Sequence, residues 1–310
     1  FIYIYNVNEG IFHLYILLFL VLSAFTFSCE SDKDNSLYYP DFAWNKENDD
    51  ENGGDENKDP ETETSMRVAT YNFKVESGDG WNSRRKQVAQ LITDYNFEIC
   101  GFEEASWSQR SYLGAQLGDK YNFLAYGRDT GNDDSQSGEM SGILYKKERF
   151  TLLEAGRFWY SETPDVPSYG WDETGYKRFC VWGKFKDVKT QKEFYLFESH
   201  MPLYGVARAK ACKMLVDAVA DIKKENTAAF CTGDFNNIPE ADEIANTICK
   251  SGILKDSYLE TTELKGPSYT FPSKKTRIDF IFVKDVKVLS SRIIESPLSD
   301  HYPLVIVAEI

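Results

Sequence analysis

The sequence predicts an α/β fold: two packed, mostly antiparallel β-sheets flanked by helices, a four-layer α/β sandwich. Three observations point to it. Short apolar runs rich in β-branched and aromatic residues recur from Met66 to Ile310, helical patterns lie between several of them, and strands outnumber helices. A single doubly wound sheet alternates strand and helix, so a surplus of strands calls for a second sheet packed on the first.

The β-rich runs fall at 67–73, 98–102, 142–145, 181–185, 194–198, 228–232, 278–283 and 304–308. Helical patterns fall at 83–95, 106–117, 206–224 and 240–250. In the third helix Ala211, Leu215, Ala218 and Ile222 recur at helical spacing, so one face should pack on a sheet. A long connection, 158–177, collects Pro, Gly and aromatic residues. No internal repeat is present, and 66–310 is a suitable length for one domain.

Residues 1–65 do not read as part of that domain. The run 11–27 (IFHLYILLFLVLSAFTF) is almost wholly apolar, and Ser28 and Cys29 follow it directly. An apolar stretch, a small residue and then Cys resembles a bacterial lipoprotein signal. The resemblance implies a signal peptide at 1–28, a lipid on Cys29 and attachment to an outer membrane or cell surface. Residues 29–65 are crowded with Asp, Glu, Asn and Gly, too polar and too like-charged to bury a core, and are expected to be an acidic disordered tether. They also resemble the acidic leader of surface lipoproteins of the Bacteroides group.

Setting this segment aside changes what the net charge means. Residues 1–66 hold 3 of the 35 Lys and Arg and 14 of the 49 Asp and Glu, which leaves −3 of the overall −14 for the remainder. A near-neutral domain gains little from counterion release, which argues against tight, non-specific binding to long duplex DNA. Cys100, Cys180 and Cys231 sit in apolar strand-like runs, where a Cys acts as a small buried hydrophobe. No two Cys share a zinc spacing, and no disulfide framework is expected.

Polar residues stand where the apolar strands stop. TYN ends at Asn72, GFEE at Glu104, FESH at His200, TGDFN at Asp234 and Asn236, RID at Asp279, and the final loop gives SDH at Asp300 and His301. Each alone is an ordinary turn or helix cap. Strand ends on one rim of a sandwich can converge, however, and ligand sites are built there. Apart from His13, the only histidines are His200 and His301, both beside such breaks.

In this order and spacing, TYN, the acidic pair after GF, GDFN, RIDFIFV and SDHYPLV resemble the endonuclease/exonuclease/phosphatase superfamily of deoxyribonuclease- and exonuclease III-like metal-dependent phosphohydrolases. SGEMSGILYKKERF, FWYSETPD and GWD look like its secreted Bacteroides-type lipoprotein branch. The resemblance spans essentially all of 67–310 and implies a Mg²⁺-dependent phosphoesterase, with Mn²⁺ able to substitute, acting on a nucleic acid, phospholipid, inositol phosphate or sugar phosphate. It implies Asn72, Glu104 and Asp300 as metal residues. Asp279 would orient His301 as the base that activates water, and Asp234 would share that proton. Asn236 would donate to phosphate oxygens, and His200, supported by Glu139, would contact the phosphate or the leaving group. Attack would be in line, with no covalent intermediate.

Arg178, at the same rim, can bind phosphate or form a surface ion pair. Arg128 and Trp171 can shape the pocket, and Tyr145 and Arg277 are read as supports. Two departures stand out: Glu103 occupies the place where many relatives have Gln, adding a charge near the metal, and ESHMPL stands where relatives of this branch often read NTHLDH, so that Glu198 replaces an Asn. A different class is a surface binding lipoprotein that keeps the fold without catalysis, gripping glycans or a phosphate ligand with its aromatics. The chain is expected to be a monomer.

Overall fold

Alternation along the strands builds the interior: every second residue turns toward the opposite sheet, and those residues are the apolar ones until each strand reaches one rim. The computed structural model describes residues 59–76, 78–222 and 227–310, all within the compact unit Glu47–Ile310. The signal-peptide assignment, Cys29 and the tether up to residue 58 lie outside the described residues.

One sheet has seven strands. In chain order they are β1 (Met66–Asn72), β2 (Ile99–Ala105), β3 (Tyr121–Gly127), β4 (Met140–Lys146), β10 (Leu264–Lys265), β12 (Lys287–Ile293) and β13 (Leu304–Glu309), arranged 10-12-13-1-2-4-3 across the sheet. The second has six: β5 (Phe150–Trp159), β6 (Phe179–Asp187), β7 (Glu193–His200), β8 (Ala228–Asp234), β9 (Lys255–Asp256) and β11 (Asp279–Lys284), arranged 5-6-7-8-11-9. Most neighbours are antiparallel; β1–β2, β7–β8 and β10–β12 are parallel. Between the sheets lie Val68, Ile99, Ile143 and Ile306 from one side and Phe185, Phe194, Phe230 and Ile281 from the other.

Helices cover the outer faces. α1 (Asp79–Asp94) and α2 (Trp107–Leu117) pack together outside the seven-stranded sheet, and Ser106 with Gln109 closes a capping box on α2. α3 (Gly205–Ala220) lays Ala211, Cys212, Leu215 and Val219 on the outer face of the other sheet, among Cys180, Cys231, Phe280 and Phe282. Cys100, Cys180 and Cys231 are buried among apolar neighbours, as their runs predict. Each sheet thus carries a helical layer, which completes the four-layer sandwich.

The structure adds strands to those read from the sequence. Tyr121–Gly127, Phe150–Trp159 and Lys287–Ile293 are strands, whereas 240–250 holds only a short π turn, Glu243–Ile248, and a single 3₁₀ turn, Cys249–Ser251. The 158–177 connection is pinned to the start of α3: Asp172 accepts from the amides of Val206 at 3.1 Å and Ala207 at 2.6 Å, supplying the cap that Tyr204 lacks. Residues 59–65, read as the end of a disordered tether, are instead held on the domain. Asp59 is buried and pairs with Arg67 and Arg292, each at 3.0 Å, while Thr62 Oγ1 donates to Glu309 at 2.6 Å. With Lys265 Nζ at 3.5 Å, three cations on a buried carboxylate offset the desolvation that would otherwise keep such a chain in water.

Candidate active site

Period two selects which polar residues meet. Phe194 and Leu196 face the interior, so Glu198 and His200 do too; Ala228 and Phe230 put Thr232 and Asp234 on the same face, and Ile281 and Val283 do this for Asp279. The ladder then aligns them. His200 registers with Asp234 across the parallel β7–β8 pair, and Asp234 with Asp279 across the antiparallel β8–β11 pair, so three strands place three polar side chains in one row. From the facing sheet Asn72, last residue of β1, is the inward-facing partner at the same level.

Glu104 breaks the alternation, and it has to. Glu103 and Glu104 would otherwise turn to opposite faces, yet the β2–β4 register shifts between Phe102 and Ala105 and Glu104 adopts φ +56°. A bulge with a left-handed residue swings the second carboxylate to the rim while the first stays inside. There Glu104 Oε1 accepts from Asn72 Nδ2 at 3.1 Å, and the same Nδ2 lies 3.3 Å from Asp234 Oδ2. Asn72 Oδ1 accepts the Lys74 amide at 2.9 Å, so an ion held by Asn72 calls for a half-turn of this amide.

The final loop delivers His301. Ser299 Oγ donates to Asn72 O at 2.8 Å and accepts the His301 amide at 3.2 Å, tying that loop to the end of β1. His301 Nδ1 lies 2.9 and 3.0 Å from the two Asp279 oxygens, the Phe271 ring centroid sits 4.9 Å away, and Nε2 points to Asp234 Oδ2 at 3.8 Å. Burial by itself lowers the imidazole pKa, but Asp279, then Asp234 and Asp300, more than reverse this and carry it up to about 10. His200 behaves oppositely. Burial, reinforced by Arg178 and Arg128, holds its pKa well below the usual histidine range, so it is neutral. Its Nε2 lies 3.5 Å from Asp234 and 3.9 Å from Glu104.

Among the described residues two groups of ligating atoms result, Glu104–Glu139–His200 and Asp234–Asp279–His301, each within 4.8 Å. The oxygen-rich set of Asn72, Glu104, Glu139 and Asp234 suits a hard divalent cation such as Mg²⁺. Of the residues singled out from the sequence, Asn72, Glu104, Glu139, His200, Asp234, Asp279 and His301 converge. Asn236, with φ +51°, donates its amide to Asp234 Oδ1 at 2.8 Å and one side-chain N–H to Met201 O at 2.9 Å, leaving the other N–H for a ligand. Asp300 is exposed and belongs to neither group; it acts on His301 through charge. Glu139 lies in the His200 group, but its hydrogen bond goes to Arg128, at 2.5 Å.

Tyr145 does not support the site: it lies in the apolar interior, edge-on to Phe185 at 5.0 Å. Arg277 forks onto buried Asp256 at 3.1 and 2.5 Å and steadies the entry to β11. Trp171 lies under Lys210 Nζ, 4.7 Å from the ring, in the pinned loop.

Beneath the rim the structure reveals a layer that the sequence hid. Glu103 and Glu198, both fully buried, act on one another across the two sheets. Thr232 Oγ1 donates to Glu198 Oε2 at 2.5 Å, Thr70 Oγ1 to Glu103 Oε1 at 3.3 Å, and the Asp234 amide to the same Glu103 oxygen at 3.1 Å. Burial and then their mutual charge push the Glu103 carboxyl well above its ordinary range. Burial pushes Glu198 up as well, to about 8, so both carboxyls hold protons at neutral pH and can serve Glu103 Oε2 and Glu198 Oε1, which have no other partner among the described residues. Glu103 therefore does not add the expected charge beside the metal. The signal was the two departures, GFEE and FESH, which lie at the same depth on facing sheets.

The chain matches the model of the Endonuclease/Exonuclease/phosphatase family over residues 69–301. It is similar to an endonuclease/exonuclease/phosphatase from Bacteroides vulgatus, with 33% identity and TM-score 0.74, covering 80% of this chain and 99% of that one. It is also similar to a mannosyl-6-phosphatase of Bacteroides thetaiotaomicron, with 30% identity and TM-score 0.73, covering 79% of this chain and 100% of that one. An uncharacterized protein of Acanthamoeba polyphaga mimivirus is 23% identical over 54% of this chain, which spans only 30% of that relative's length. A single family thus accounts for the sandwich, for the row of strand-end residues and for nearly the whole described chain: it belongs to the Endonuclease/Exonuclease/phosphatase family.

Proposed function

We propose that this chain hydrolyses a phosphate ester by in-line attack of a water molecule activated at His301, with a divalent cation, Mg²⁺ or Mn²⁺, held at the Asn72–Glu104 end of the site. The observation that carries the reading is one row of His200, Asp234 and Asp279, completed by His301 and faced by Asn72 and Glu104. A bound divalent cation supplies positive charge that draws phosphate oxygens and offsets the carboxylates. Asp279 fixes the His301 tautomer, so that Nε2 faces the cleft and Asp234. With the carboxylate field offset, Nε2 gives up the proton that Asp279 and Asp234 otherwise hold there and can take one from water. Neutral His200 and the uncommitted N–H of Asn236 donate to oxygens on which charge builds during attack. That a mannosyl-6-phosphatase is 30% identical to this chain over 79% of its length supports phosphate-ester chemistry.

The test uses the full chain on p-nitrophenyl phosphate and bis-p-nitrophenyl phosphate, with Mg²⁺, with Mn²⁺ and with EDTA. Turnover of either ester that EDTA abolishes and metal restores is expected. No turnover, or turnover indifferent to metal, rejects the proposal and favours a binding lipoprotein. The LSAFTFSC sequence ending at Cys29 supports a secreted, lipid-anchored placement outside the cell. Cys29→Ser should release the protein from the membrane fraction.

A further inference from the structure

Two arginines face His200, and only one of them has a carboxylate partner. Arg178 is 4% exposed, yet its Nε and Nη1 have no hydrogen-bond partner, and among the described residues it makes no ion pair. Arg128 pairs with Glu139 through Nη1, but its buried Nε has no partner. Both guanidinium carbons lie over one ring, that of Tyr176, Arg128 at 4.6 Å and Arg178 at 5.1 Å. Two like charges gathered on one ring repel, and burial followed by Arg128 lowers the Arg178 pKa. The acidic groups acting on Arg178 are Glu139, Asp234 and Glu173, and none is within ion-pair distance. Glu173 is committed elsewhere, accepting from the amides of Gly175, Tyr176 and Leu203. A buried guanidinium left without a counter-ion is costly, so a site that keeps one is completed by an anion.

The charge and the oxygen count identify the anion. We infer that Arg178 and Arg128 form a dianion cradle that selects phosphomonoesters over phosphodiesters. A phosphomonoester has a second pKa near 6 and carries close to two negative charges at neutral pH. A diester carries one. The monoester has three non-bridging oxygens, so with one turned to the Asn72–Glu104 end two remain, one for each guanidinium fork; a diester leaves only one. The planar fork also distinguishes arginine from lysine here, since each guanidinium can hold an oxygen through its unpartnered Nε while stacked on Tyr176.

This inference rests on the phosphoesterase reading, and its test keeps the two apart. With Mg²⁺, the full chain should cleave p-nitrophenyl phosphate with a kcat/KM at least about 10-fold above that for bis-p-nitrophenyl phosphate, and Arg178→Met should lower the monoester value by about 10²-fold but the diester value by less than about 5-fold. Arg178→Lys should recover only part of the loss. Inorganic phosphate, titrated calorimetrically in Mg²⁺, should bind Arg178→Met at least about 10-fold more weakly than wild type, with folding checked by circular dichroism. Should Arg178→Met fail to fold, Arg178→Lys carries both comparisons. Equal or greater wild-type activity on the diester, equal losses on both esters, or unchanged phosphate affinity overturns the cradle. Absence of metal-dependent turnover rejects the broader reading alone, and the phosphate titration then decides the cradle.

Discussion

Asp234 and Glu103 touch through one hydrogen bond, yet the layers they belong to hold their protons in different company. At the rim, Asp279 has His301 against it and Asp234 has both histidines and Asn72 nearby. One step inward, Glu103 and Glu198 have no base beside them among the described residues: they face each other, two threonine hydroxyls and the backbone amides of Asp234 and Ser199. Burial and mutual repulsion raise the carboxyls of both layers, Asp234 at the rim to about 7 and Glu198 beneath it to about 8, but only the rim sets a base, His301, among its acids, and there the acids carry the imidazole up to about 10. A carboxylate can be reactive where a cation can reach it; its neighbour one layer deeper is neutralised and becomes structure.

Substitutions at the two depths should therefore differ in kind. At the rim, His301→Ala and Asp234→Asn are each expected to lower kcat by about 10²-fold or more with little change in Tm, because each removes a transition-state contact. Retained turnover in either variant would remove that residue from the mechanism. In the inner layer the largest effect should come from Gly101→Ala. Its added Cβ would lie 1.8 Å from Glu198 Oε2 and 2.1 Å from Thr232 Oγ1, so thermal unfolding should show a loss of about 1–3 kcal/mol or more. A variant with wild-type Tm would show that the layer is looser than described.

A smaller effect is expected from pH. The folded pKa of Glu198 is raised to about 8 by burial, above its unfolded value near 4.3. Between those values the folded state binds the extra proton, so its contribution is complete at the acid end of the window and is lost as pH rises through about 8. Denaturant melts of wild type and Glu198→Gln across this window should diverge, the wild type losing stability more steeply. Parallel curves would mean that the pair is not protonated. The mildest change should be Thr70→Val, which removes one 3.3 Å hydroxyl contact to Glu103 and should cost about 1 kcal/mol with kcat unaltered.

The rim was legible in the sequence and the layer beneath it was not, for a reason of chain geometry. Asn72, His200, Asp234 and Asp279 each extend the inward alternation of an apolar run, so a strand-end polar residue of the right parity announces itself within a few residues. The Glu103–Glu198 contact joins strands of different sheets, and nothing local to GFEE or FESH signals that the two face each other. Glu104 was read from its motif, although parity alone would have sent it to the wrong face; the +56° residue that corrects this has no one-dimensional mark. Strands were missed where alternation is blurred. Phe150–Trp159 is an edge strand with many exposed positions, and Lys287–Ile293 carries a register shift between Val288 and Ser290. Arg178 was ambiguous because whether an arginine finds a carboxylate depends on loops such as 158–177, whose path is set by Asp172 and Glu173 capping a distant turn.

The clamp at Asp59 fixes where force enters the molecule. It lies at the beginning of β1, and the seven residues of that strand carry the chain roughly 20 Å to Asn72 at the catalytic mouth. A load applied through residue 59, whether by immobilisation on a bead or by attachment to any other support, is borne by the floor of the sandwich and leaves the mouth facing outward, open to whatever diffuses past.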